Sequence, residues 1–165
     1  MVMAIGFLSM GNIVAQDGGK MKINMDAMKK SPHHLVMMAY KHNLLTFSKA
    51  LRDMSNGGKL EDVDLARNAF AEIKRSMEKM DEVHQSHMGK MKAEMMAMMK
   101  PMRERMQVEN MSIKEHIASL EKAFQASPPN ALDVNKHAAE LVMQLEKMEM
   151  SDKKKMDMPD KKMKM

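Results

Sequence analysis

Apolar residues recur at alternating steps of three and four along much of the chain, which is the period of an amphipathic α-helix. The first such stretch begins at Ser31-Pro32, a serine N-cap followed by proline at the first helical position, and its apolar stripe runs from Met37 to Met54. The stretch ends at Ser55-Asn56-Gly57-Gly58, which is typical of a helix end followed by a turn. Strand-forming residues are sparse, so the pattern predicts an all-α protein.

Three further helices are predicted after this turn, with apolar stripes over residues 63–80, 113–124 and 134–148. The first of these stripes continues through two histidines toward Pro101, which should end or kink the helix. A helix end, a short turn and a helix finishing in Glu-Lys-Met occur in both halves of the chain. We therefore predict two αα-hairpins packed as an up-and-down four-helix bundle. The Met-rich segment connects the hairpins, either as an extended or kinked helix two or as a bent crossover.

The two ends of the chain differ from this helical body. Residues 1–15 are uncharged and mostly apolar, and Ile13-Val14-Ala15 resembles a small-residue cleavage site, so this segment is predicted to be a secretory signal. A short buried helix or a membrane anchor is the alternative, although the run is too short to span a bilayer. We predict a flexible lead-in over 16–30, the bundle over 31–150, and a disordered Lys/Met-rich tail over 151–165.

Composition excludes several classes of function. The 165 residues include no cysteine, which removes disulfides, thiolate catalysis and thiolate metal sites. The net charge of +5 is modest, and the lysine-rich tail lacks the aromatic residues that stack on bases, so we expect no nucleic-acid binding. No Gly-rich phosphate loop, H-E-x-x-H pair or nucleophile elbow is present, and the protein is not expected to be an enzyme or to carry an organic cofactor.

Methionine is the unusual component, with 27 residues in the chain and eight of them in the 23 positions from His84 to Met106. On one continuous helix, a single face would contain His84, Met88, Met91, Met95, Met98 and Met102, and Met99 and Met106 would lie beside it. Thioether sulfur is soft and uncharged and therefore selects Cu(I) or Ag(I) over harder ions, while a neutral imidazole could adapt such a site to Cu(II). The pattern predicts a soft-metal site.

A methionine stripe on a helix is more often part of a hydrophobic core than a metal site. Here the adjacent pairs Met95-Met96 and Met98-Met99 cover more than half of the helix circumference, which exceeds a single core-facing side. Methionine also recurs in the lysine-rich end of the chain, where there is no core to fill, although low-complexity drift is an alternative. The predicted ligands there are Met148, Met150, Met156, Met158, Met163 and Met165.

A second cluster of candidate ligands opens the first helix and comprises His33, His34, Met37, Met38 and His42. If helices one and two are antiparallel, this cluster lies at the same end of the bundle as the second group of candidates, His84, His87, Met88 and Met91. The alternative is that the histidines are exposed and the methionine belongs to the core. His116 and His137 occur singly and are interpreted as ordinary surface or boundary residues.

The leader-like segment, the absence of cysteine, the His-His pair and the M-x-M and M-x-x-M runs together resemble the methionine- and histidine-rich periplasmic copper- and silver-binding proteins of bacteria. The resemblance covers residues 33–42, 77–106 and 148–165. It implies an exported, periplasmic protein that binds Cu(I) or Ag(I) for buffering, storage or chaperoning in copper tolerance. It also implies transfer to an efflux or acceptor protein, with no stable membrane insertion once a signal is removed.

Two other functions fit the same residues. A small, basic, helical protein with a Met-rich surface also resembles periplasmic stress chaperones of the Spy type, which bind many apolar clients. The αα-hairpins further resemble b-type four-helix cytochromes, in which a methionine and a histidine hold a non-covalent haem.

Overall fold

The computed structural model describes residues 30–156, and it describes the side chains of all of these except Met98, Met102 and residues 151–156. This part of the chain contains helices and no strand, so the prediction of an all-α protein is confirmed. The helices are α1 (Pro32–Met54), α2 (Val63–Met88), α3 (Ala93–Met98), α4 (Lys100–Gln125) and α5 (Ala131–Met156). The predicted signal segment and nearly all of the lead-in lie outside the described residues.

The ends of the first helices follow the local sequence signals. The Ser31 hydroxyl accepts a hydrogen bond from the His34 backbone N–H (3.2 Å), and Pro32 occupies the first turn of α1. After α1, a 3₁₀ turn over Asn56–Gly58 places Gly57 at φ 75°, in the left-handed region where a side chain is disfavoured. The predicted start, turn and end of the first helix are therefore confirmed.

The connection between the two halves is interrupted, which excludes one of the two forms expected. A second helix that extends, straight or kinked, toward Pro101 is absent from the described residues, since α2 ends at Met88 with Gly89 as its C-cap, and the bent crossover remains. The six-residue helix α3 follows, and Pro101 lies in the first turn of α4. Proline is tolerated there because the first N–H groups of a helix have no partner within the helix. Pro101 thus lies at the start of α4, and the helix that ends just before it is the short α3 and not helix two.

The core lies between the four long helices. Helix α1 packs along α2 and α5, α4 packs along α5, and α2 and α4 share a smaller contact. The largest fully buried hydrophobic side chains are branched aliphatic residues: Leu44, Leu51, Ile73, Ile113, Leu120, Val134, Leu141 and Leu145. Met77 and Met80 join them with 4% and 6% of their surface exposed, as members of the core. The fold is therefore held chiefly by aliphatic packing, and only a few methionines contribute to it.

Polar contacts fix the helices against one another at their edges. The Asn135 side-chain amide on α5 donates to the Arg52 backbone carbonyl near the end of α1 (2.8 Å).

Further along the chain, α5 continues to Met156, so the first six residues of the predicted disordered tail are helical. No helix within residues 30–156 combines the length and the apolar character needed to cross a bilayer.

Candidate metal-binding sites

Four histidines lie together where the start of α1 meets the end of α2, and we call His33, His34, His84 and His87 the histidine pole. The rings of His33 and His87 stack with their centroids 3.8 Å apart and an interplanar angle of 20°. His84 lies one turn before His87 on α2, and His34 follows His33 on α1. The sequence predicted that these two helix ends would be neighbours, and the stacked pair shows that they are.

The pKa values of His33 and His87 are both lowered, which favours the neutral form of these two imidazoles. Burial lowers the pKa of His33 below its ordinary value of 6.5, and the proximity of His87 lowers it further, while a hydrogen bond with the Val83 backbone opposes the shift. Burial also lowers the pKa of His87, with smaller contributions from His84 and Lys90. A neutral imidazole keeps a free lone pair, which is the form that binds a metal ion.

The pole is not a closed chelate as it stands. The lone pair of an imidazole nitrogen lies in the plane of its ring. In two nearly parallel stacked rings, the lone pairs therefore lie in two separate planes and do not point toward one common ion. The Nε2 atom of His33 is buried and has no hydrogen-bond partner. An open depression lies beside the stack and is lined by His33, Glu82, Val83, Ser86, His87 and Lys90. The pole could therefore bind an ion only if at least one ring rotates.

Four predicted thioether ligands lie close to the pole along the chain. Met37 lies one turn after His33 on α1, where it is half-buried and packs against the core. Met88 is the last residue of α2, and Met91 lies in the turn that follows, and both are half-buried. Met38, one turn after His34, is 37% exposed. These positions put soft donors within about one turn of a histidine of the pole along the chain.

The other predicted methionine ligands are distributed over several environments. Because residues 89–92 separate α2 from α3, and Met99 separates α3 from α4, the prediction that six side chains from His84 to Met102 line one helical face was wrong. Met95 and Met106 are half-buried, Met99 is only 8% exposed, Met148 packs against the core, and Met150 is 64% exposed. The Met-rich segment is thus divided between a short helix and the first turns of α4.

The remaining predicted ligands fall into two groups. His42 is exposed on α1, about two turns after His34. Met98, Met102 and Met156 lie in helices, but their side chains are not described. Met158, Met163 and Met165 lie outside the described residues. The pole therefore unites the histidines of the two predicted clusters except for His42.

A second group of donors was missed by the sequence reasoning and comprises His116 on α4 with His137 and Glu140 on α5. The Glu140 Oε2 atom lies 3.1 Å from the Nδ1 atom of each histidine, and the two Nδ1 atoms are 3.4 Å apart. The donor atoms of these three side chains all lie within 4.8 Å of one another, close enough to hold one metal ion. Among the described residues, no other group of three His, Asp or Glu side chains meets this criterion. Unlike the stacked pair at the pole, their nitrogen atoms converge.

The sequence carried a weak signal for this group. His137 and Glu140 are spaced i, i+3 and therefore share a helix face. His116 and His137 each lie about two turns from the loop that joins α4 to α5, on opposite sides of it. In an antiparallel hairpin, positions at similar distances from the loop face one another, so the predicted hairpin could have brought the two histidines together.

The chain thus presents two histidine groups of different chemistry. At the pole, imidazoles lie beside a methionine-rich connection, and on the α4–α5 hairpin two imidazoles converge with a carboxylate. Comparison with models of protein families, with curated proteins and with solved structures finds no match for this chain.

Proposed function

We propose that this protein is an exported, non-enzymatic binder of Cu(I) and Ag(I) that buffers, stores or transfers these ions in copper tolerance. The observation that carries the proposal is the histidine pole, where the stacked His33 and His87 lie beside the start of a methionine-rich connection. Thioether sulfur and neutral imidazole are ligands that suit soft monovalent copper and silver. Cu(II) fits this donor set less well, because only the histidines, and not the thioethers, are ligands that suit it.

We also propose that the four long helices form the up-and-down bundle expected from the sequence. The pairing of α1 with α2 and α5, and of α4 with α5, supports this arrangement. The loops after α1 and after α4 are short, as antiparallel neighbours require. In such a bundle the segment from Gly89 to Met99 crosses from one hairpin to the other and passes the pole.

Binding at the pole requires a change from the stacked arrangement. We propose that the His33 ring rotates away from His87, which frees its buried Nε2 atom to bind an ion in the depression that both histidines line. The half-buried thioethers of Met88 and Met91 then complete the coordination from the turn after α2. Because these ligands are neutral and Met88 and Met91 lie at the end of α2 and in the turn after it, the bound ion can be exchanged with an efflux or acceptor protein.

The proposal assigns the methionines to two roles. Met77 and Met80 serve the core and are not ligands, because almost none of their surface is accessible. The accessible methionines of α3 and its flanking turns serve the metal, with those of the C-terminal segment as additional, weaker sites. This division is testable because a Met→Leu change removes the sulfur at nearly constant volume.

The test is an anaerobic Cu(I) titration of the full chain against a chromogenic competitor. We expect more than one equivalent to bind, and the double variant His33→Gln, His87→Gln should lose at least tenfold in affinity for one of them. The matched control is His116→Gln, His137→Gln, which removes the same number of imidazoles elsewhere and should leave Cu(I) binding unchanged. Equal Cu(I) affinities in the wild type and the pole variant would overturn the proposal.

A second candidate function is favoured by exposed apolar side chains. Val108 and Met111, one turn apart on α4, are 67% and 55% exposed, and Met143 and Met150, two turns apart on α5, are 66% and 64% exposed. Apolar surface of this kind could bind unfolded clients, as the chaperone alternative requires. Suppression of client aggregation by the metal-free protein, lost on Met111→Ser and Met143→Ser substitution, would support this function over metal binding.

A further inference from the structure

The α4–α5 hairpin contains a group of polar side chains that plays no part in the proposed copper function. The rings of His116 and His137 are tilted by 39° with their centroids 5.7 Å apart, yet their Nδ1 atoms are only 3.4 Å apart. The rings therefore meet edge to edge, with nitrogen facing nitrogen. The Glu140 carboxylate completes a triangle with sides of 3.1, 3.1 and 3.4 Å.

From this triangle we infer that His116, His137 and Glu140 form a second metal site, for a divalent ion of the Zn²⁺ class. With zinc–ligand bonds of about 2.05 Å, ligand atoms lie about 3.35 Å apart in a tetrahedral site and about 2.9 Å apart in an octahedral one. The observed separations of 3.1 and 3.4 Å lie within this range. An ion placed about 0.9 Å out of the plane of the three atoms would reach all of them at ordinary bond length.

The donor chemistry selects the ion. Two imidazole nitrogens and one carboxylate oxygen are borderline to hard ligands, which suit Zn²⁺ and related divalent ions and give no preference for Cu(I). The three side chains are 23%, 19% and 33% exposed, so an ion can enter from solvent and a water molecule can occupy a fourth position. The site therefore differs from the pole both in position and in the ions it selects.

Neighbouring contacts hold the two helices in the register that the site needs. One to two turns from the histidines, the Gln144 side-chain amide donates to the Glu109 backbone carbonyl (3.2 Å), and the Ser112 hydroxyl donates to Gln144 Oε1 (3.2 Å). These bonds join α4 to α5 without involving the three donors. The donor atoms are thus brought together before any ion binds, which lowers the ordering cost of binding.

Without a metal ion, the same atoms can form hydrogen bonds, since an Nδ1–H group of either ring can donate to Glu140 Oε2. Binding of Zn²⁺ requires both Nδ1 atoms to be free of protons, so each ring must carry its proton on Nε2. Zinc binding would then replace hydrogen bonds to the carboxylate by metal–ligand bonds and would link α4 to α5.

The inference is tested by titrating the full chain with Zn²⁺ against a chromogenic chelator, and with Co²⁺ by its visible absorption, which is intense for tetrahedral sites. We expect one equivalent of Zn²⁺ whose affinity falls at least tenfold in His116→Gln, His137→Gln and in Glu140→Gln. The matched control His33→Gln, His87→Gln should keep this equivalent. Far-UV circular dichroism shows whether each variant retains its helices.

The histidine ring signals in the NMR spectrum of the wild-type protein provide a second measurement, which does not depend on whether the variants fold. One equivalent of Zn²⁺ should shift the ring signals of His116 and His137 before those of the pole. The inference is overturned if the wild type binds no Zn²⁺, if binding is lost in the pole variant but kept in the α4–α5 variants, or if the pole signals shift first. Failure of Cu(I) binding at the pole would leave this site unaffected, because the two experiments use different ions and different residues.

Discussion

Replacing the buried Met77 with alanine should destabilise the protein far more than the same replacement at Met143. Both residues lie within long helices, so the small gain in helix propensity from alanine is the same at each position. They differ in burial, since Met77 is 4% exposed and Met143 is 66% exposed. The comparison isolates the contribution of packing from that of helix formation.

The magnitude follows from the atoms removed. Truncation of methionine to alanine deletes three heavy atoms, which at ~0.8 kcal/mol for each methylene-sized group is about 2.4 kcal/mol of lost burial. The cavity left in the core raises the expected loss at Met77 to about 3–4 kcal/mol. At Met143 little apolar surface is buried, and the expected change is within about 0.5 kcal/mol.

Urea unfolding followed by the helical circular dichroism signal measures the difference. With a slope of about 2 kcal/mol per molar urea, the midpoint for Met77→Ala should fall by about 1.5–2 M, while that for Met143→Ala should move by about 0.25 M or less. Similar midpoint shifts in the two variants would refute the assignment of Met77 to the core.

The same residue also tests the division of methionines between core and metal. Met77→Leu preserves volume and should cost less than about 1.5 kcal/mol, so the variant remains folded for a Cu(I) titration. We expect its Cu(I) affinity to equal that of the wild type, whereas Met91→Leu should weaken binding. A loss of Cu(I) affinity in Met77→Leu would contradict the burial of its sulfur away from the site.

Three further outcomes are expected. Because the pKa values of His33 and His87 are lowered in the folded protein, the unfolded chain binds more protons than the folded one as pH falls below about 6.5. The melting temperature should therefore fall on acidification, and it should fall less in the double variant His33→Gln, His87→Gln. Equal decreases in the two proteins would contradict this. Gly57→Ala should cost about 1–2 kcal/mol in urea unfolding, entirely from the backbone at φ 75°, since a Cβ there would meet no atom within 4 Å; an unchanged midpoint would contradict it. Glu121→Gln removes the ion pair with Lys74, whose side chains are 38% and 46% exposed, and should lower stability by less than about 1 kcal/mol, with the difference vanishing in high salt.

The helices of the described chain were largely predictable because their determinants are local. The serine and proline that begin α1, and the glycines that end its turn, act within a few residues of one another. The aliphatic stripes likewise identified the core, since Leu44, Leu120 and Leu141 are fully buried. These features depend on periodicity and backbone preference, which a single sequence displays.

The sequence left two forms open for the connection between the halves, an extended helix two and a bent crossover, because two local rules compete there. Proline ends a helix when it falls in the interior and begins one when it falls in the first turn, and the residue alone does not decide between these. Gly89, the C-cap of α2, places the interruption twelve residues before Pro101. Because α2 has already ended at this point, Pro101 lies in the first turn of a separate helix, where proline is tolerated.

The sequence by itself determined that the described chain is helical, which of its stripes are apolar, and that soft sulfur donors are abundant. Only the tertiary structure decided which donors meet. The stack of His33 on His87 and the convergence of His116, His137 and Glu140 depend on how helices distant in the chain pack together. The reason is physical: helix formation is governed by neighbours along the chain, whereas a binding site and the burial of a side chain are governed by neighbours in space.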